Sequence, residues 1–289
     1  MSMSSRLLTA LVIGFVVLMP RAARGQNVDT CSQECLLKTI ADFKSHAVAK
    51  RPVALAPNAE IRENMEITTV DKSAWHDVKA VRSSAAFADA VTGNVVSRDG
   101  VELADGTAGY ISTRLKVVRG QVTEVELSSD LTRANSAYVW NLPPVLTMEV
   151  PATERSSREA LQALANRYFQ SLTDHKAVKE DFDDSRCNRF HSGAQITNVG
   201  TNAVEGPGRR TCVTSIDGPK PWGPANEQRF PVIDVEHGIV FAETLLMYAN
   251  QVMFVSEVFK VDNGRIVLID NIGIVRPGRN HTTGFGTRK

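Results

Sequence analysis

The chain lacks a charge excess of either sign: 33 lysines and arginines stand against 32 aspartates and glutamates in 289 residues. A nucleic-acid partner calls for a strongly basic face, so this balance argues against one. There is no low-complexity tract, and past residue 25 no apolar run is long enough to cross a membrane as a helix. Nor does the sequence carry a glycine-rich phosphate loop, a nucleophile elbow, or a Cys-His or Ser-His-Asp arrangement. No cofactor is expected.

Cysteine is scarce, with four residues: Cys31, Cys35, Cys187 and Cys212. No histidine stands at ligand spacing from either pair, so a zinc site, or any other metal, is not expected. The acidic run 180–184 lacks regular calcium-ligand spacing and reads as a solvated loop. Disulfides are the expected use of the cysteines, given where the chain is headed. Arg6, the apolar run Leu7 to Met19 and the small residues around Arg24 form a secretory signal over residues 1–25. Its removal takes away three arginines and no acid, leaving 30 basic and 32 acidic residues. In an oxidising compartment Cys187 and Cys212, which bracket a loop-rich stretch, are the favoured pair. Cys31 and Cys35 sit at a helix start, where a bridge is open to them only if the helix has not yet begun.

What is present is a repeat. Residues 114–126 (RLKVVRGQVTEVE) and 258–270 (VFKVDNGRIVLID) are both strand, tight turn and strand, matching at a constant offset of 144. Asn263-Gly264 is a strong hairpin signal because both turn residues must accept positive φ. Upstream, Asp89, Gly93 and Val95-Val96 match Asp234, Gly238 and Val240-Phe241, and Ile67–Val70 matches Ile196–Val199. Each half opens on a helical stripe: Leu36, Leu37, Ile40, Ala41 and Phe43, then Leu161, Leu164, Ala165, Tyr168 and Phe169. Two copies of one α+β unit are expected, over residues 26–140 and 158–275. A proline-rich linker, 141–157, joins them, and Ser156 or Ser157 caps the second helix. Asp99-Gly100 and Asp105-Gly106 read as turns. Residues 200–228, dense in glycine and proline, read as an irregular insertion, and 276–289 as a flexible tail.

The order helix, short strands, Trp-bearing helix, long antiparallel strands resembles the cone-shaped α+β barrel of the nuclear transport factor 2-like (SnoaL-like) superfamily, here in tandem. The mature chain further resembles an uncharacterised domain common in secreted fungal proteins and found in some bacteria. In the first half the resemblance rests on Cys31 or Cys35, Glu63-Asn64, Trp75, and Arg114-Leu115-Lys116 with Gly120 and Glu124. In the second half it rests on Arg158-Glu159, Cys187-x-Arg189, Arg229, Asp234 with Gly238, and Phe259-Lys260 with Gly264. The usual Glu-Asn-Gly is replaced by His191-Ser192-Gly193, and in the first half its glycine is Met65. The resemblance implies a curved sheet closed by helices around a small-molecule cavity, and two units packed as an intramolecular pseudo-dimer. Members include isomerases, cyclases, dehydratases, lyases that release formaldehyde from lignin-derived aromatic dimers, and binding modules without chemistry. Fold alone does not choose among them.

Glu63 and His191 fall at corresponding positions, and a carboxylate and an imidazole suit general acid–base work. His191 equally suits a structural hydrogen bond. Asp234 can orient that histidine or act as base; its place before a turn also suits bonding to its own backbone. Arg229 can hold a substrate carboxylate or phenolate, or pair with an acid of the chain. Trp75, Tyr110, Trp222, Tyr248 and Phe254 are candidate walls for a flat apolar ligand, although aromatics on strands are often plain core. The expected protein is an exported, cofactor-independent lyase or isomerase acting on an apolar, aromatic small molecule. A non-catalytic binding or interaction module is the competing reading.

Overall fold

Leu36, Ile40, Phe43 and Ala47 recur every three or four residues, which puts them on one face of a helix. In the computed structural model they are the buried stripe of α1 (Gln33–Val48), whose N-cap Ser32 accepts from the Cys35 N–H at 3.2 Å. The structure describes residues 31–132, 134–198, 210–218, 220–278 and 281–285. The signal segment, much of the insertion and the ends of the tail lie outside them. Cys31 and Cys35 are bridged with the helix already begun between them, and Cys187 is bridged to Cys212. No described helix is long and apolar enough to cross a membrane.

Four long strands follow α1: β3 (Val78–Asp89), β4 (Asn94–Leu103), β5 (Ala108–Val118) and β6 (Gln121–Asp130). The short β1 (Glu60–Glu63) lies parallel to β6, and β2 (Glu66–Ile67) closes that edge, giving the order β2-β1-β6-β5-β4-β3. After a short α2 (Ser136–Val139) and a 3-10 turn in the linker, α3 (Arg158–Asp174) opens the second unit, capped by Ser157. The second sheet has β7 (Asn188–His191), β8 (Ala194–Gln195), β9 (Trp222–Asp234), β10 (Ile239–Tyr248), β11 (Gln251–Asp262) and β12 (Arg265–Pro277). Its order, β8-β7-β12-β11-β10-β9, repeats the first. The chain is two tandem α+β units with one topology.

The repeat extends to detail. Arg119-Gly120 and Asn263-Gly264 both carry positive φ in their hairpin turns, and each hairpin bulges after the matched lysine. Lys116 donates to the Thr92 carbonyl and Lys260 to that of His237, so equivalent lysines clamp equivalent turns.

Three expectations change. Asp99-Gly100 is the middle of β4, not a turn: Asp99 is buried against Lys44 at 2.7 Å, and Gly100 lies under the Val139 carbonyl. A Cβ at Gly100 would sit 1.5 Å from that oxygen, so glycine serves a close approach by the end of α2 (Ser136–Val139). Residues 222–228 are strand β9, and the described part of 200–228 also holds the short helix α4 (Cys212–Ile216). Residues 281–285 are docked, with Thr283 buried and Phe285 against Arg62 and Arg114.

Each sheet buries both faces. In β10, Val240, Ala242 and Leu246 face α3, whereas Ile239 and Phe241 meet Phe87 and Val96 of the first sheet. That is why the strands read as near-continuous apolar runs. Buried acids punctuate the contact between units. Glu126 and Asp270, matched at the offset of 144, each meet an arginine of the other unit. Arg229 reaches Glu126 at 2.6 Å, and Arg98 donates to the Ser256 and Asp270 carbonyls beside the Asp270 carboxylate.

Glu243 shares this contact, 2.5 Å from Arg229. An ion pair so short argues for a charged Glu243, but Arg229 also serves Glu126, and the two carboxylates face each other. Burial pushes Glu126 up, but Arg114 and Arg229 outweigh it and hold Glu126 below the usual range. Burial pushes Glu243 up to about 8, against Arg229 and with the Glu126 charge adding to the rise. Glu243 is therefore the acid that keeps the proton. Its folded pKa exceeds the unfolded value, so its contribution is complete below about pH 4.5 and is lost as pH rises through about 8. Glu243→Gln should remove that slope. Urea unfolding at pH 5, 6.5 and 8 should show the variant gaining on the parent by at most about 1.4 kcal/mol per pH unit. A constant difference across that range would mean Glu243 is charged throughout.

Candidate functional site

Alternation along β7 sends Phe190 to the core between the units and turns Arg189 and His191 toward α3. On β11, Glu257 is in phase with Val255 and Phe259, and on β12 Asn271 is in phase with Ile269 and Gly273. Register aligns these residues: Glu257 lies opposite Asn271, and Asn271 opposite His191. Three strands thus place Glu257, Asn271 and His191 in one row on the inner face.

The row lines a cavity of about 530 Å³ under α3. Leu172, Trp222, Leu246, Met253 and Val255 supply apolar wall, and Arg189, Ser215 and Lys220 join the polar side. Its size and mixed lining are those of a small-molecule site. The bridge from Cys187 to Cys212 ties the start of α4, and with it Ser215, to the strand that carries Arg189 and His191. Gly273 lets the imidazole lie against the sheet, since a Cβ there would stand 2.7 Å from His191 Cε1.

Asn271 connects the row. Its Oδ1 lies 2.5 Å from His191 Nδ1 and its Nδ2 donates to Glu257 Oε1 at 3.3 Å. With the amide so oriented, Nδ1 carries the histidine proton and the lone pair of the neutral ring is on Nε2. The Tyr168 hydroxyl donates to Glu257 Oε1 at 2.8 Å. Burial pushes the Glu257 carboxyl up, and this outweighs the opposing pull of Arg189 and the hydrogen bonds from Tyr168 and Asn271. Three buried polar atoms of the lining have no hydrogen-bond partner: Glu257 Oε2, Arg189 Nε and Trp222 Nε1. Buried polar atoms are nearly always paired, so three orphans in one cavity mark a place for a polar ligand.

Of the candidate catalytic and wall residues singled out from sequence, His191 and Trp222 line this cavity, and Arg229, Asp234, Glu63, Tyr110, Phe254 and Trp75 do not. Arg229 belongs to the contact between units, on Glu126, Glu243 and Thr283. Asp234 accepts from the His237 backbone N–H at 3.1 Å, lies 2.9 Å from the His237 ring, and so holds its own turn rather than His191. Burial raises the Glu63 carboxyl, which accepts from the Ala74 N–H at 3.0 Å and from Ser129. Tyr110 is buried at the contact between units, donating to Asp270. Phe254 is buried with Met65, Leu245 and Val252. Trp75 is core of the first unit, and the side chain of Tyr248 lies outside the described residues.

Register explains the difference between units. Glu63 pairs with Leu127 as His191 pairs with Asn271, so Glu63 and His191 are equivalent. Thr113, Leu127 and Ile61 replace Glu257, Asn271 and Arg189 in the first unit, and the Trp75 indole fills the space, donating to Thr113 Oγ1 at 3.2 Å. A depression of about 690 Å³ lies outside Trp75, but no side chain lining it holds a buried orphan polar atom. Size does not make it the better candidate. Sequence reasoning passed over Glu257, Asn271 and Tyr168. The available signal was phase: Glu257 keeps the inward parity of Val255 and Phe259, which marks a buried acid.

The fold and site define a two-unit α+β protein with a mixed six-stranded sheet in each unit and, in the second, a cavity lined by buried polar atoms without partners. Residues 154–273, which contain that cavity's row, match the model of a family described as a domain of unknown function (DUF8021). No curated protein matches the chain.

Proposed function

We propose that the second unit is the active site of a cofactor-independent lyase or isomerase that moves a proton on a mostly apolar, aromatic small molecule. The observation that carries this reading is the row Glu257–Asn271–His191 in one cavity. His191 Nε2 is the base, in the tautomer set by Asn271. Glu257, whose carboxyl burial pushes up, is the acid at Oε2. The apolar wall keeps water from the reacting atom. Each unit is read as a nuclear transport factor 2-like cone, and the contact between sheets as the intramolecular counterpart of a dimer interface. The signal-like segment and the two disulfides support export.

The test is incubation with a panel of lignin-type aromatic dimers and simpler aromatics, following formaldehyde and the absorbance of a new conjugated product. His191→Ala should lower turnover by about 10²–10⁴-fold, the usual share of a general base. Saturable binding of the panel with no turnover would make the cavity a binding module instead.

A further inference from the structure

We propose that the cavity of the second unit selects an aromatic carboxylate, its anionic group taken by Arg189 and its ring laid along Trp222. This rests on the reading of that cavity as the ligand site and adds the charge of the ligand.

Arg189 is a buried cation with no described carboxylate within ion-pair distance. It is 8% exposed, its Nη1 donates to Ser215 Oγ at 3.2 Å, and its Nε has no partner. Ser215 spends its own proton on the Cys212 carbonyl at 2.7 Å, so it offers the guanidinium lone pairs but no charge. Glu257, the one acid among the described lining residues, feels Arg189, but burial pushes its carboxyl up by more than that charge pulls it down. Buried guanidiniums are ordinarily paired, because an uncompensated charge out of water is costly. The missing anion is therefore supplied by what binds.

The other orphans agree. Arg189 Nε and Trp222 Nε1 are donors and nothing else. They call for an accepting group rather than an amine or a hydrocarbon, and beside a guanidinium the accepting group that also supplies charge is a carboxylate. Among the described lining residues, Arg189, Arg210 and Lys220 stand with one acid, Glu257. Lys220 stands 5.9 Å from the Trp222 ring centroid. The remaining wall, with Leu172, Leu246, Met253 and Val255, asks for an apolar body behind the charge. A phosphate monoester fits worse: it brings two charges to one buried arginine, where phosphate sites ordinarily gather several donors.

Calorimetric titration of the full chain with 4-hydroxycinnamate, its neutral amide and its methyl ester tests the idea. The carboxylate should bind about ten- to a hundred-fold tighter than either neutral form, the scale of one charge-assisted hydrogen-bonded contact. Arg189→Met, which keeps the apolar stem, should abolish that preference, and Arg189→Lys should keep part of it. Trp222→Phe should weaken all three ligands. Neutral forms that bind the parent protein as tightly as the carboxylate would overturn the anion assignment and leave the cavity reading standing. A preference that survives in a folded Arg189→Met would do the same. No binding by any of the three would remove both, since the cavity would then not be an aromatic site.

Discussion

Glu257→Gln is expected to lower turnover by about 10²–10⁴-fold while the protein stays folded, because it removes a proton and almost nothing else. The amide has the shape of the acid, and its oxygen can still accept from the Tyr168 hydroxyl and Asn271 Nδ2 as Oε1 does. Burial already biases the carboxyl toward its neutral form, so neutralising it for good adds no desolvation cost. What the amide cannot do is deliver an acidic proton from the Oε2 position. The loss should therefore fall on kcat rather than KM. In the parent, activity should fall on the alkaline side as Glu257 ionises above the ordinary carboxyl range, and the residual activity of the variant should lack that limb. Rates measured across pH 5 to 9, with circular dichroism to confirm the fold, decide the matter. A folded variant with unchanged kcat would make Glu257 a structural acid and leave His191 to work alone.

Trp75→Ala should destabilise the protein by about 3–5 kcal/mol, the usual cost of emptying a buried aromatic site. Trp75 is 1% exposed and fills the level of the first unit at which the second keeps its row of polar residues. Its indole also satisfies Thr113 Oγ1, which the alanine would leave without that donor. Neighbouring groups fix the segment around it: Glu63 caps the Ala74 N–H, and Lys50 Nζ donates to the Trp75 carbonyl at 2.8 Å. Because the backbone is held from both sides, the space should persist rather than collapse, and indole added to the variant should restore part of the lost stability. Urea unfolding with and without indole measures both effects. A loss below about 1 kcal/mol would show that the first unit closes over the gap and that Trp75 is not its plug.

Legibility differed residue by residue. The pair of hairpins at the offset of 144 marked two units of one topology, and Asn263-Gly264 marked its own turn through the positive φ both residues need. The α3 stripe is buried throughout, and in α1 Leu36, Ile40 and Phe43 are, whereas Leu37 is half-buried and Ala41 exposed; helical periodicity is a property of near neighbours. Asp99-Gly100 has the same local signature as a turn, yet it runs through β4, because Lys44 neutralises the aspartate from another element and the α2 backbone at Val139 needs the glycine. Arg229 offered a cation before an apolar strand. That its partners are Glu126 of the other unit and Glu243 of the next strand depends on how two sheets meet.

By itself, then, the sequence determined the elements, their order, the duplication and the residues whose turns and helix faces are set by neighbours along the chain. Only the tertiary structure decided which unit keeps a row of polar groups at the level of its inner face. The two halves have the same register, but Trp75 occupies the space in the first, while Glu257, Asn271 and His191, from three strands, line it in the second. The physical reason is that a cavity is what remains after side chains distant in sequence have packed, and burial, which pushes the Glu257 carboxyl up and leaves Arg189 Nε without a partner, is a property of that packing.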